Sequence, residues 1–266
     1  MNYWTKLSVE FANQRNYLDS LFKVYPMSAN IRREINKEKW NKIEQSFNNK
    51  DNENLIRELL NLELFPIKDS YVAYLKRDSS SIKRNPNTIS RLAGAIYEMG
   101  LDNIYEKCTE PKETNRQIGP LFKRWIDTGA LGAPVFNDIS LFLKEQGNAI
   151  LNTSDAEMEK FAREYLGYNH EKGLDFVAHF NNKYIIGEAK FLTDFGGHQD
   201  AQFADAISTI NSVLKPNILN VEVIKIAICD GVLYIQGNNK MHKHLVNNEN
   251  EIVISSLLLR DFLYSL

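Results

Sequence analysis

Three side chains in one short stretch of this chain carry charge where the surrounding pattern is apolar. The stretch runs from Gly173 to Lys190, and the three are Asp175, Glu188 and Lys190. Residues 174–180 and 184–190 are runs rich in aromatic and β-branched residues, and the polar Asn181-Asn182-Lys183 between them suits a tight reversal. The stretch therefore reads as a β-hairpin. Side chains alternate along a strand, so Glu188 and Lys190 share a face while Ala189 points to the other. With Asp175 opening the first strand, the three charges converge at one end of the hairpin. Charges in such a setting are costly unless they are paired or bound to a metal. Two carboxylates offer hard oxygen ligands to a divalent cation, and the carbonyl of Ala189 can add another. A neighbouring ammonium can polarise a water molecule or steady a pentacovalent phosphate. Metal-assisted phosphodiester hydrolysis uses all of these groups together. The alternative is a structural ion pair at the rim of two strands, which needs no chemistry at all.

Asp175, followed on the next strand by Glu188-Ala189-Lys190, resembles the motif of the PD-(D/E)xK nuclease superfamily. Lys172-Gly173-Leu174-Asp175-Phe176 resembles its context in type II restriction endonucleases. Leu174 stands where the motif has its proline, a change that removes no chemical group. The resemblance covers the second half of the chain. It implies an α/β fold, with a mixed central sheet of the restriction-endonuclease-like type flanked by helices. It also implies a metal-dependent, sequence-specific endonuclease acting on double-stranded DNA. The cofactor implied is Mg2+, with Mn2+ as a substitute, held by Asp175, Glu188 and the Ala189 carbonyl. A cognate DNA methyltransferase in the same cell and a second copy of the chain in a homodimer are the partners implied. Two more site residues come with the resemblance. Glu164 lies on an upstream helix, where the superfamily often supplies another carboxylate. Gln199 lies on the helix after the Glu-x-Lys strand, placed to meet a phosphate or the lysine.

These residues need elements to position them. Ser154 with Glu157 three residues on forms a capping box, and Met158, Phe161, Ala162, Tyr165 and Leu166 make the inward stripe of the helix that follows. Glu157 is accounted for by capping, and Glu164 is equally consistent with plain solvation. Residues 191–197 read as a turn and 198–214 as a helix with Phe203, Ala206, Ile207, Ile210 and Leu214 inward. Gln199 and Gln202 fall in its first turn, where free backbone N–H groups favour an anion. Asp194 and His198 have the spacing of metal ligands, or else cap that helix. Residues 221–229 predict a buried strand, Asp230-Gly231 a turn into an edge strand over 232–236, and 252–263 a final strand or helix.

The first half reads as mainly helical. Apolar spacing predicts helices over 4–22, 35–47 and 55–64, and another beginning at Pro66 with Ile67, Tyr71, Tyr74 and Leu75. The polar loop 76–86 carries Lys76, Arg77, Lys83 and Arg84. Asn87 or Thr88 then caps a helix that Gly100 stops, with Ser90 and Arg91 facing outward. Residues 110–120 are dense in groups that read base edges, Asn115, Arg116 and Gln117 among them. Lys83, Arg84, Arg91, Asn115, Arg116 and Gln117 are thus the candidate DNA contacts. Gly129, Gly132 and Pro134 mark a boundary, giving a mainly helical recognition region over 1–128 and a catalytic core over 129–266.

A net charge of −2 over 266 residues excludes a uniformly basic nucleic-acid binder. The charge is uneven, however. Residues 1–134 hold 21 Lys and Arg against 17 Asp and Glu, and the remainder 11 against 17, as expected of a cationic grip joined to an acidic centre. No apolar run reaches membrane-spanning length, the N-terminus lacks a signal-peptide core, and Cys108 and Cys229 offer neither a disulfide framework nor a zinc spacing. The expected setting is the cytoplasm. Besides a restriction enzyme, the readings that remain are a repair or structure-selective nuclease and a non-catalytic DNA-binding regulator.

Overall fold

The computed structural model describes residues 1–14, 16–27, 32–111 and 117–266. Asn115 and Arg116 therefore lie outside the described residues. The chain forms two compact units, one of Met1–Met27 with Thr114–Leu266 and one of Ser28–Glu113. The division differs from a cut at 128/129 because the N-terminal helices and residues 118–127 belong with the sheet.

Helix α1 (Tyr3–Ala12) is capped by the Asn2 side chain, which accepts from the Trp4 N–H, and α2 (Tyr17–Val24) follows. Sequence periodicity predicted one helix here. Asn16 takes a left-handed conformation with φ 72° and breaks it, which rotates the apolar stripe of α2. Leu21 is buried, while Leu18 and Phe22 face solvent.

The second unit holds α3 (Lys37–Asn48), α4 (Asn52–Leu60), α5 (Ser70–Arg77), α6 (Ser81–Arg84), α7 (Pro86–Met99) and α8 (Leu101–Cys108). Ile43, Leu55, Ile56, Leu59, Leu92 and Ile96 are the centre of its own core. Two sequence expectations change in this unit. Part of the loop over 76–86 is helical, as α6, and α7 starts at Pro86, whose missing N–H costs nothing at a first helical position.

The first unit continues with α9 (Ile118–Asp127), β1 (Val135–Phe136), α10 (Ile139–Lys144), β2 (Ala149–Leu151) and α11 (Asp155–Leu166). Then come β3 (Phe176–Phe180), β4 (Lys183–Leu192), α12 (Gly197–Ile210), β5 (Glu222–Gly231), α13 (Lys240–Asn247), β6 (Ile252–Ile254) and α14 (Leu259–Ser265). Among the described residues the strands form one six-stranded sheet in the order β1-β2-β3-β4-β5-β6. It is mixed: β2 to β3 and β3 to β4 are antiparallel, and the other neighbours are parallel. The β3–β4 hairpin forms as expected, closed by Asn181 and Asn182 at φ 49° and 64°, which is the geometry of a two-residue type I′ turn. The expected edge strand over 232–236 does not form. Gly231, at φ 99°, turns the chain into a short 3-10 turn (Val232–Tyr234) whose Leu233 and Tyr234 are buried, and β6 takes the edge instead.

Side chains alternate across this sheet. Phe176, Ala178, Phe180 and Ile185 pack on the side that also gathers residues of α9, α12 and α14, while Val177, Tyr184 and Ile186 pack with Met158, Phe161 and Ala162 of α11. Cys108 and Cys229 are buried and unpaired. No helix among the described residues is long and apolar enough to cross a membrane.

At the C-terminal end of β5 the carboxylate of Asp230 is wholly buried. It accepts from the Tyr25 hydroxyl at 2.9 Å, the Ser255 hydroxyl at 2.6 Å and the Ser256 N–H at 3.3 Å, while Tyr17 accepts from the Gly231 N–H at 3.0 Å. Burial raises the Asp230 pKa, and the bonds from Ser255, Ser256 and Tyr25 oppose that rise. Asp230 thus ties the chain beyond α2 to the segment after β6. Asp230→Ala leaves three donors unsatisfied in the interior and should lower stability by about 2–4 kcal/mol in urea melts. A loss below about 0.5 kcal/mol would mean that the N-terminal segment is held by apolar packing alone.

Candidate active site

The hairpin is asymmetric. Its last cross-strand pair at the open end is Phe176 with Gly187, whereas β4 runs on to Leu192, paired only with β5. Beyond Gly187, then, β4 has one edge that β3 does not cover. The Gly187 carbonyl accepts from the Asp175 N–H at 3.1 Å, which fixes the direction of that edge. Ala189 has the same parity, so its N–H and C=O both point to the uncovered side. The carboxylate of Asp175 takes the place of the missing strand, with Oδ2 accepting from the Ala189 N–H at 2.9 Å. The Ala189 carbonyl is directed into the same space.

Glu188 and Lys190 continue the face of Tyr184 and Ile186, on the α11 side. Glu188 is buried, with 5% of its side chain exposed, and its Oε1 meets two ammonium groups, Lys190 through a short contact and Lys172 at 3.1 Å. Lys172 also reaches Asp205 of α12, at 2.7 Å to Oδ2 and 3.0 Å to the backbone carbonyl, and Lys190 lies 3.9 Å from the same carboxylate. The loop before Asp175 is pinned to the start of α11, where the Leu174 N–H donates to the Asp155 carbonyl at 3.2 Å. A Cβ on Gly173 would lie 2.9 Å from that of Asp155, so glycine permits the approach.

This crowding is visible in the protonation equilibria. Asp175 is pushed up to about 7, first by burial and then by the charge of Glu188, with a smaller push from Asp155. The Ala189 N–H and Lys190 act in the opposite direction. Burial alone would lower Lys190, but Glu188, Asp175 and Asp205 outweigh it and the net shift is upward. Lys190 is therefore an ammonium at neutral pH.

The donors at this point, two carboxylates and a carbonyl, suit a hard divalent cation, and the unrelieved repulsion between Asp175 and Glu188 is what such an ion would remove. Among the described residues no group of three or more His, Cys, Asp or Glu side chains is gathered around a metal-sized space. The remaining ligands would have to come from Ala189, water and phosphate.

Asp175, Glu188, Ala189 and Lys190 are thus brought together as the sequence predicted. Glu164 is not, because its carboxylate is exposed on α11 and pairs with Lys160 at 3.9 Å. The α11 carboxylate whose charge acts on Asp175 belongs instead to its first residue, Asp155, which is bonded to Lys123 at 2.5 Å. Glu157 completes the capping box with Ser154. Gln199 is buried in the first turn of α12, with its Oε1 accepting from the Thr193 N–H at 3.0 Å, so its carbonyl end closes the 193–196 turn. Asp194 accepts from the Phe195 N–H and His198 meets Gln202, and neither joins the cluster. Lys172 and Asp205 were missed. Lys172 lies in irregular chain, where no periodicity assigns a face, and Asp205 is one of two acids on an amphipathic helix with nothing in its spacing to single it out.

In the helical unit, Arg91 pairs with Asp69 at 2.7 Å and lies over the ring of Tyr71. Arg84 pairs with Asp78 at 2.5 Å. Lys83 is exposed, as are Tyr71 and Tyr74 of α5. Gln117 stands just ahead of α9.

A mixed sheet with an acid ahead of one strand and Glu-x-Lys on the next is an arrangement resembling the PD-(D/E)xK nucleases, and the sequence comparison names the class: type II restriction enzymes, which are site-specific DNA endonucleases. The chain belongs to the Tsp45I type II restriction enzyme family, whose model matches residues 2–266. No curated protein and no solved structure matches it.

The raised Asp175 fixes a pH dependence. A carboxyl held at about 7 in the folded state and near 3.9 in the unfolded chain favours folding fully below about pH 4, and loses that contribution as the pH rises through 7. Asp175→Asn keeps an acceptor for the Ala189 N–H without the charge. In chelator, the variant should match the wild type near pH 4 and exceed its stability by roughly 2–4 kcal/mol at pH 8. Urea melts at the two pH values test this, and a variant less stable than wild type at pH 8 would identify Asp175 as half of a structural ion pair.

Proposed function

We propose that this restriction endonuclease hydrolyses phosphodiester bonds of double-stranded DNA at the β4 edge, with Mg2+ as cofactor and Mn2+ as a substitute. The observation that supports the reading is the uncovered end of β4, where Asp175 bonds to the Ala189 N–H and Glu188 pairs with Lys190. Asp175, Glu188 and the Ala189 carbonyl would hold the ion. When bound, the ion supplies Lewis-acid polarisation of the phosphate and promotes ionisation of the attacking water. Lys190, held as an ammonium, orients that water and donates to a non-bridging phosphate oxygen as negative charge grows on it. As the attacking water gives up a proton to solvent and its oxygen bonds to phosphorus, the bond from phosphorus to the leaving ester oxygen breaks and that oxygen takes a proton from solvent water. Gln199 acts on this site indirectly, by keeping the 193–196 turn next to it closed.

For DNA binding, the exposed face of the helical unit that bears Lys83, Tyr71, Tyr74 and Arg91 is the surface we assign to the duplex, with Arg84 as a secondary contact because Asp78 already neutralises it. Counted over residues 28–113 the unit has 15 Lys and Arg against 14 Asp and Glu, so contact rests on local placement and not on net charge. Asn115, Arg116 and Gln117 are base-reading candidates from the sequence. The enzyme works in the cytoplasm, as a homodimer that cuts both strands, beside a methyltransferase that protects the host's own sites.

Plasmid cleavage with Mg2+ tests the reading. Glu188→Ala and Lys190→Ala should each lower the rate by about a thousandfold or more at unchanged melting temperature, a barrier increase of about 4 kcal/mol. A folded Lys190→Ala protein within about tenfold of wild type would remove the lysine from the mechanism, and nicked products alone would replace the restriction reading with a strand-specific one. For binding, Lys83→Ala should reduce the slope of log affinity against log salt by about 0.9, the value for one lost phosphate contact. An unchanged slope would take this face out of the interface.

A further inference from the structure

Glu188 has more cationic company than a catalytic carboxylate needs. One oxygen of a side chain that is 5% exposed takes two ammonium groups, Lys190 in a short contact and Lys172 at 3.1 Å. A divalent cation entering on Glu188 would compete with both for the same lone pairs and would be repelled by their charges. Repulsion between unit charges a few Å apart in a partly screened site is large enough to set the affinity. One of the lysines also has somewhere else to go. Asp205, half exposed on α12, already holds Lys172 at 2.7 Å and stands 3.9 Å from Lys190. The backbone carbonyl of Asp205 gives Lys172 a further acceptor at 3.0 Å, so Lys172 can leave Glu188 and remain bonded.

Resting on the proposed metal site, we propose that Lys172 is a positioning residue that occupies Glu188 in place of the divalent ion, and that Asp205 takes Lys172 over when the ion binds. In the DNA-free protein the lysine and the ion exclude one another, which keeps metal affinity low. A DNA phosphate entering the site supplies another acceptor for the displaced ammonium and so favours loading. Metal uptake is thereby coupled to DNA, through a side chain that need not touch the reacting atoms. The coupling works in both directions, since whatever draws Lys172 away strengthens the ion's hold on Glu188.

The test is calorimetric titration of the DNA-free, full-length protein with Ca2+ alone, alongside thermal melts of each variant. Lys172→Met keeps the aliphatic stem without the charge, and should bind Ca2+ about tenfold more tightly or better, as expected for removing one unit charge beside the ion. Lys172→Arg should stay within about threefold of wild type. Asp205→Asn should weaken Ca2+ binding in the wild-type background, and by much less once Lys172 is Met, because its effect runs partly through the lysine. A folded Lys172→Met protein that binds Ca2+ no better than wild type overturns the proposal. If Lys172→Met and Lys172→Gln both fail to fold, the lysine is a structural clasp and the proposal is overturned as well. Glu188→Gln separates this inference from its basis. Wild-type Ca2+ binding in that variant would remove the metal site itself, whereas lost binding there, with no gain in Lys172→Met, rejects the lysine exchange and leaves the site standing.

Discussion

The hydrogen bond from the Ala189 N–H to Asp175 is the contact on which the site depends. It exists because β3 stops at Phe176 while its neighbour runs on to Leu192. A sheet edge ordinarily exposes backbone groups that must find water or another strand. Here a carboxylate meets that need from outside the ladder, and in doing so is held against a second acid. The charge conflict at the site is thus a by-product of a backbone requirement. The two lysines moderate it without removing it, since Asp175 is still driven upward.

Everything around the hairpin keeps this edge open. The parallel partner β5 fixes β4 along its full length, so the extra residues of β4 do not fray. Gly187 sits directly under that partnership, where a Cβ would come within 2.9 Å of both the Ile226 side chain and its carbonyl. The start of α11 holds the loop that delivers Asp175, and α12 brings Asp205 to the lysines. Asp230, at the C-terminal end of β5 opposite Phe191 of β4, meets an analogous problem by other means. There the buried carboxylate is satisfied by hydroxyls and an N–H, with no cation in its hydrogen-bond set, and the result is a structural tie instead of a reactive group.

Much of the β3–β4 hairpin and its neighbouring helices was legible in the sequence because period-two alternation is strict. Once the Asn181-Asn182 reversal was recognised, the shared face of Glu188 and Lys190 followed. The capping box of α11 and the amphipathic stripe of α12 were equally local signals. What escaped had no period to read. Strands β1 and β2 have two or three residues each, too few for alternation, and exist only through pairing with distant chain. Lys172 is placed by a loop, and Glu164 was preferred over Glu157 while Asp155 went unnoticed, because helical spacing shows which residues share an edge but not which end of the helix meets the hairpin. The positive charge of the first half was partly a matter of where the cut was made. With residues 1–27 and 114–134 returned to the sheet unit, the helical unit is nearly neutral.

The helical unit is an insertion, since the chain leaves the sheet unit after Met27 and rejoins it at Thr114. A segment that begins and ends in the same body adds its residues to no strand register, and its core of Ile43, Leu55, Leu92 and Ile96 shares no member with the cores on the sheet. Substitutions that reshape that core therefore leave the packing of the cores on the sheet as it is. For an enzyme whose partners in conflict are sequences, this separates two rates of change. The inserted segment can drift or be exchanged while the residues packed around the carboxylates and lysines of the β4 edge stay as they are.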